Sequence, residues 1–305
     1  MIDTLYKTCG WVRGIFIWPY DIVARKVLIP ILTRRALRRL DLSNTRTITY
    51  MSVLGYPLAI KIKWEDRITR EAASMRYLEK NTSIPIPKIY DEWIYPRDDD
   101  VDYAVPDLGV LVMEHLPGRS LRLLWNKLSF AQKTHIFKQL RPYLMELRSL
   151  PQPEPVGRVG PVLGQCFDER LSDDPFGPFD NERDFNDWRI STHDWQGRIS
   201  PRLAELFRTT RMQMRNDHKI VFTHGDLHLQ NILVDIRGSN PDDAHVVALI
   251  DWEMSGWMPE YWEPIKMMHG QRDADWCNLV LETFPGYETE IKLDMELVEV
   301  SGRPG

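Results

Sequence analysis

The chain has only three cysteines in 305 residues, Cys9, Cys166 and Cys277, far apart and with no CxxC pair. This excludes a disulfide framework and a cysteine zinc site, and it suits a reducing compartment, so the cytoplasm is the expected location. Long apolar runs are also missing. The stretch from Trp11 to Leu32 is interrupted by Arg13, Pro19, Asp21, Arg25, Lys26 and Pro30, whereas a spanning helix needs about 20 apolar residues in succession. It lacks the continuous apolar core and small-residue cleavage site of a signal peptide as well. The net charge is −5, which argues against nucleic acid as a partner, because phosphate backbones call for a clustered basic surface. Between Gly14 and Gly109 there is one glycine, Gly55, and no Gly-x-Gly-x-x-Gly. There is no internal repeat or low-complexity linker.

With 43% hydrophobic residues the chain can bury a sizeable core, as one large domain or two lobes. Its charge is uneven. Residues 1–40 carry a net +6, which leaves −11 for the rest. This basic, aromatic stretch is expected to pack along the first lobe with Arg34, Arg35, Arg38 and Arg39 in solvent; a weak membrane-surface contact is the alternative.

Residues 45–54 and 57–64 read as two strands around a turn at Gly55-Tyr56. In the second, Leu58-Ala59-Ile60-Lys61-Ile62-Lys63 alternates so that Lys61 and Lys63 share a face. Arg70 to Lys80 reads as a helix, with Ala72, Met75 and Leu78 on its apolar side. Ile84-Pro-Ile-Pro87 ends it, because proline lacks the donor a helix needs. An apolar run, Gly109 to Met113, leads to the turn Glu114-His115-Leu116-Pro117-Gly118. Residues 121–150 and 201–216 are read as largely helical. Between them, Asp168–Trp188 is loop-rich and carries a net −6. Early strands followed by helices point to an α+β protein with a small first lobe and a larger helical second lobe.

The chemistry concentrates in Thr223-His224-Gly225-Asp226-Leu227-His228-Leu229-Gln230-Asn231, followed by the apolar run Ile232-Leu233-Val234. Val246 to Ile250 answers it and ends in Asp251-Trp252-Glu253. The two runs are expected to pair, with Gly238-Ser-Asn-Pro241 as the turn, which would bring Asn231 and Asp251 to one end of a hairpin. Phosphoryl transfer from ATP needs such a set: one carboxylate for the acceptor hydroxyl, and an amide oxygen with a second carboxylate for the metal. The spacing Asp-x4-Asn is that of a kinase catalytic loop. Asp226 is therefore the candidate base, with Asn231 and Asp251 as Mg2+ ligands. Lys61, after Ala59-Ile60, is the preferred cation for the nucleotide phosphates, with Glu71 to hold it; Lys63 is the alternative. His224 and His228 permit a metal-hydrolase reading, but no further histidine cluster completes such a site.

These residues resemble the aminoglycoside phosphotransferase family, part of the protein-kinase-like superfamily with choline kinases, and its fungal branch in particular. The resemblance rests on Ala59-Ile60-Lys61, Glu71-Ala72, Asn81 to Lys88, Val112 to Gly118, His224-Gly225-Asp226 with Asn231, and Ile250-Asp251-Trp252-Glu253 with Gly256-Trp257 and Tyr261-Trp262-Glu263. It implies a two-lobed kinase-like fold divided as 1–44 (N-terminal extension), 45–115 (first lobe) and 116–305 (second lobe). It further implies ATP and Mg2+ as cofactors, Glu114, His115 and Leu116 facing the adenine, Asp226 as catalytic base, Asn231 and Asp251 on the metal, and Lys61 on phosphate. The partner is then a small hydroxylated acceptor. Leu229-Gln230 departs from the family's usual Pro-Gly, and the stretch after Glu263 is short. An aminoglycoside substrate does not follow from the family name. A non-catalytic nucleotide- or metabolite-binding module is the competing reading.

Overall fold

The structure is a computed structural model that describes residues 23–37, 48–95, 107–191 and 200–301. The expected extension 1–44 is thus described only at 23–37, and Arg38 and Arg39 lie outside the described residues. The chain divides into two compact units, Met1–Ile68 with Pro87–Leu116, and Thr69–Ile86 with Pro117–Gly305. The secondary structure bears out the α+β, kinase-like class: strands dominate the first unit and helices the second.

In the first unit, a π-helical turn (Ala24–Leu28) runs into helix α1 (Ile29–Leu37). Strands β1 (Ile48–Val53), β2 (Tyr56–Trp64), β3 (Ile89–Tyr95) and β4 (Leu108–Glu114) form an antiparallel sheet in the order β1-β2-β4-β3. The β1–β2 turn has two residues, Leu54 at φ 55° and Gly55 at φ 81°, and positive φ at both positions matches the right-handed twist of a tight hairpin. Strand alternation sends Leu58, Ile60 and Ile62 into a core with Ile29, Leu37, Val110 and Val112. Ala59, Lys61 and Lys63 take the opposite face. Arg34 forks onto Asp91, Nε to Oδ2 and Nη2 to Oδ1 each at 2.7 Å, which ties α1 to β3.

Helix α2 (Glu65–Asn81) is longer than the sequence suggested, and the unit boundary falls within it. In the second unit, β5 (Arg119–Ser120) leads through two short 3-10 turns into α3 (Phe130–Ser149). Ser129 caps α3 and exchanges hydrogen bonds with Gln132. Helices α4 (Glu182–Ser191) and α5 (Pro201–Gln213) follow. Strand β6 (Ile220–Thr223) pairs with β9 (Gly256–Pro259). Strands β7 (Ile232–Ile236) and β8 (Ala244–Leu249) form the expected hairpin, and β5 adds to its outer edge. Close approach requires Gly118, where a Cβ would stand 2.9 Å from Leu233 Cβ. Helices α6 (Trp262–Met268), α7 (Ala274–Thr283) and α8 (Glu288–Ser301) complete the unit.

Candidate active site

The loop between β6 and β7 carries Asp226 and Asn231, and the segment after β8 carries Asp251. The Ile250 N–H donates to the Asn231 carbonyl at 3.0 Å, so the hairpin register brings Asn231 and Asp251 to one end of the sheet. Asn231 Nδ2 donates to the Asp226 carbonyl at 2.8 Å and to Asp226 Oδ2 at 3.0 Å. These bonds use the amide nitrogen and leave the amide oxygen as a hard donor. Asp251 sits at φ 67°, a left-handed conformation that is costly for a residue with a Cβ and is concentrated at functional sites.

Burial raises the Asp226 carboxyl above the ordinary carboxylate range; Lys266 and His228 pull it down, and Asp251 and Asp168 push it up. His224 is fully buried. Its Nδ1 accepts the Asp226 N–H at 3.2 Å, while Nε2 lies 3.0 Å from the Ile250 carbonyl. That pairing calls for the Nε2–H tautomer, and burial depresses the imidazole to about 4, so the ring is neutral and acts as a brace between the two motif segments. His228 Nδ1 lies 2.9 Å from the Asp226 carbonyl. Among the described residues, the group with the spacing to hold a metal ion is Glu71, Asp251 and Glu253, whose carboxylates lie within 4.8 Å of one another. It contains no histidine, and both ring nitrogens of His224 are engaged by backbone groups, which opposes the hydrolase reading of that ring. Three carboxylates are hard oxygen donors that suit a Mg2+-type ion.

In the first unit, Lys61 is 2% exposed whereas Lys63 is only partly buried, so the two lysines of one face differ in their surroundings. Glu114 closes β4, with its N–H donating to the Lys88 carbonyl at 2.8 Å, and the His115 N–H donates to the Pro57 carbonyl at 3.1 Å. His115 lies against Tyr50, with ring centres 4.6 Å apart and planes tilted by 45°. Leu116 follows, half-buried.

Two features escaped the sequence reading as functional. Glu263 on α6 is buried, and it accepts the His224 N–H at 2.5 Å and the Gly225 N–H at 3.3 Å. Burial raises it to about 7, against the pull of those two donors. One turn further along α6, Lys266 Nζ meets Asp168 Oδ2 at 2.8 Å, both side chains 5% exposed. The signal was available: Glu263 and Lys266 are the two charged residues in the otherwise apolar helix Trp262–Met268, and a charge buried in such a helix needs a partner.

The loop-rich acidic stretch 168–188 ends in α4, and several of its acids are paired. Asp168 pairs with Lys266, Glu182 with His218 at 2.8 Å, and Asp187 with Arg211 at 2.5 Å.

Known proteins share this chain's family and fold. The Phosphotransferase enzyme family matches residues 55–294. A structure of aminoglycoside phosphotransferase APH(4)-Ia in ternary complex with ADP and hygromycin B superposes with a TM-score of 0.55 at 12% identity, covering 88% of each chain. The streptomycin–ATP complex of APH(2″)-IIa superposes with a TM-score of 0.52 at 14% identity, covering 90% of this chain and 91% of the other. Clavilactone A biosynthesis cluster protein Y of Ampulloclitocybe clavipes is 27% identical over 217 residues, covering 62% of this chain. The chain spans about half the length of that relative (50%). The match over residues 55–294 takes in both units and every candidate site residue, and the chain belongs to the phosphotransferase enzyme family.

Proposed function

We propose that this small-molecule phosphotransferase moves the γ-phosphate of ATP to a hydroxyl of a small metabolite, with Asp226 as the base. The observation that carries the reading is the joining of Asp226, Asn231 and Asp251 through the bond from Asn231 Nδ2 to Asp226 Oδ2 (3.0 Å) and the bond from Ile250 N–H to the Asn231 carbonyl (3.0 Å). The Asp226 carboxylate accepts the hydroxyl proton, the acceptor oxygen forms the new bond to γ-phosphorus, and the bond to the ADP oxygen breaks. Asn231 fixes the Asp226 carboxylate so that it need not reorganise as the proton arrives. Asn231 and Asp251 would hold Mg2+, which would supply charge neutralisation on the phosphates. Lys61 offsets further phosphate charge, and Glu114 to Leu116 line the adenine.

Both superposed structures named above contain an adenine nucleotide and an aminoglycoside, which supports the nucleotide more than the acceptor for this chain.

One observation favours a non-catalytic nucleotide-binding module: the β1–β2 turn is only Leu54-Gly55, with no glycine-rich loop in that place. A metabolite-library screen for ATP- and Mg2+-dependent phosphorylation, run beside a thermal-shift assay, separates the two readings. Acceptor-dependent ADP release that is lost in Asp226→Asn supports the kinase. ATP binding with no transfer to any acceptor supports the module.

A further inference from the structure

We propose that the outer face of the helix over residues 23–37 is a docking surface for an anionic lipid bilayer, holding the enzyme at a membrane without crossing it. Ala24, Ile29, Thr33 and Leu37 are buried, and Ile29 and Leu37 belong to the core of the first-unit sheet. The other face presents Val23, Val27 and Ile31 at four-residue intervals, 47%, 46% and 57% exposed, with Leu28 (41%) and Leu32 (37%) beside them. Five large apolar side chains on the solvent face of one short helix form a contiguous patch rather than scattered surface residues, and such patches mark interaction sites.

The charge identifies the occupant. Residues 23–37 contain four basic residues and no acidic one. Arg34 is engaged by Asp91 (2.7 Å), and Arg25 lies over the Tyr56 ring, 5.3 Å from its centre. Lys26 and Arg35 are exposed with the apolar stripe. An apolar ridge edged by cations is the chemistry that enters the headgroup layer of a bilayer carrying acidic lipids, where burial of the ridge and attraction to headgroups add. The preceding sequence has the same character, with Trp11, Phe16, Trp18 and Tyr20 among Lys7 and Arg13, and aromatic residues favour the interface. The net +6 of residues 1–40 against −11 elsewhere gives an anionic surface a strong preference for this end of the chain. No helix among the described residues is long and apolar enough to cross a membrane.

The test is co-sedimentation of the full chain with vesicles of phosphatidylcholine alone and of phosphatidylcholine with about one third phosphatidylserine. The expected result is binding to the mixed vesicles, weakened by salt, and little to the neutral ones. Ile31→Asp and Lys26→Glu/Arg35→Glu should each weaken binding about tenfold or more, with unchanged thermal melting and ATP-induced stabilisation. Ile31→Ser, a milder change at the same exposed position, should weaken it in the same direction if Ile31→Asp fails to fold. Three outcomes overturn the proposal: no binding to the mixed vesicles, equal binding by the stripe variants, or self-association of the wild type in solution that Ile31→Asp abolishes. Loss of vesicle binding on deleting residues 1–22, with the stripe variants unaffected, would also overturn it and place the contact upstream.

Discussion

The Glu263 carboxylate on α6 holds the backbone N–H groups of both His224 and Gly225, at 2.5 and 3.3 Å, directly before Asp226. The loop that presents the candidate base is therefore suspended from a helix nearly 40 residues downstream in the chain. Glu263→Gln keeps one acceptor oxygen and should retain part of the activity. Glu263→Ala leaves two buried donors unmet, at about 1–3 kcal/mol each, and should lower both Tm and turnover. Thermal melting with ADP-release kinetics checks this, and equal behaviour of the two variants contradicts the anchoring role.

Asp226→Asn should reduce acceptor-dependent transfer by about 100- to 10 000-fold, the usual contribution of a positioned base. ATP-induced thermal stabilisation should persist, because the substitution keeps the size of the side chain. A variant with wild-type turnover would falsify the assignment of Asp226.

Gly225 sits at φ +74°, and a Cβ there would lie 2.3 Å from the Met254 carbonyl oxygen. Gly225→Ala should displace Asp226 relative to the segment after Asp251 and cost about 1–3 kcal/mol of overpacking. Turnover should fall far more than ATP affinity, measured by kinetics alongside nucleotide titration.

The Lys266–Asp168 pair, at 2.8 Å and buried on both sides, invites a double-mutant cycle. Lys266→Met strands a buried carboxylate and should destabilise by about 3–5 kcal/mol. Adding Asp168→Leu should recover much of that loss in chemical denaturation. If the double variant is no more stable than the single one, the pair is not the source of the cost.

His218 lies between Glu182 (2.8 Å) and Glu290 (3.2 Å). Burial opposes its protonation, yet the bond to Glu182 and the field of both carboxylates hold it above its ordinary value of 6.5, with Arg215 pulling the other way. The stabilisation is thus complete below pH 6.5 and is lost as pH rises through the elevated value. The melting temperature of His218→Gln should vary less than that of wild type across this window. Parallel curves for the two proteins would show that His218 contributes no pH dependence there.

Much of this arrangement is legible in the residues themselves. The alternation of Leu58 to Lys63, the apolar runs on either side of Gly238–Pro241 and the Asp-x4-Asn spacing depend on local periodicity, which a chain cannot hide. They determine the α+β class, the β7–β8 hairpin and the meeting of Asn231 with Asp251. Tertiary structure decided the rest, because burial and partnership over long separations leave no periodic trace. It set Lys61 apart from Lys63 by burial, grouped Glu71 with Asp251 and Glu253 across some 180 residues, and made Asp168, in a loop-rich acidic stretch, the buried partner of Lys266. It also made Glu263 the support of the loop that carries Asp226. Asp226, Asn231 and Asp251 are visible as a motif, but the supports that hold them in place are visible only where the chain packs against itself.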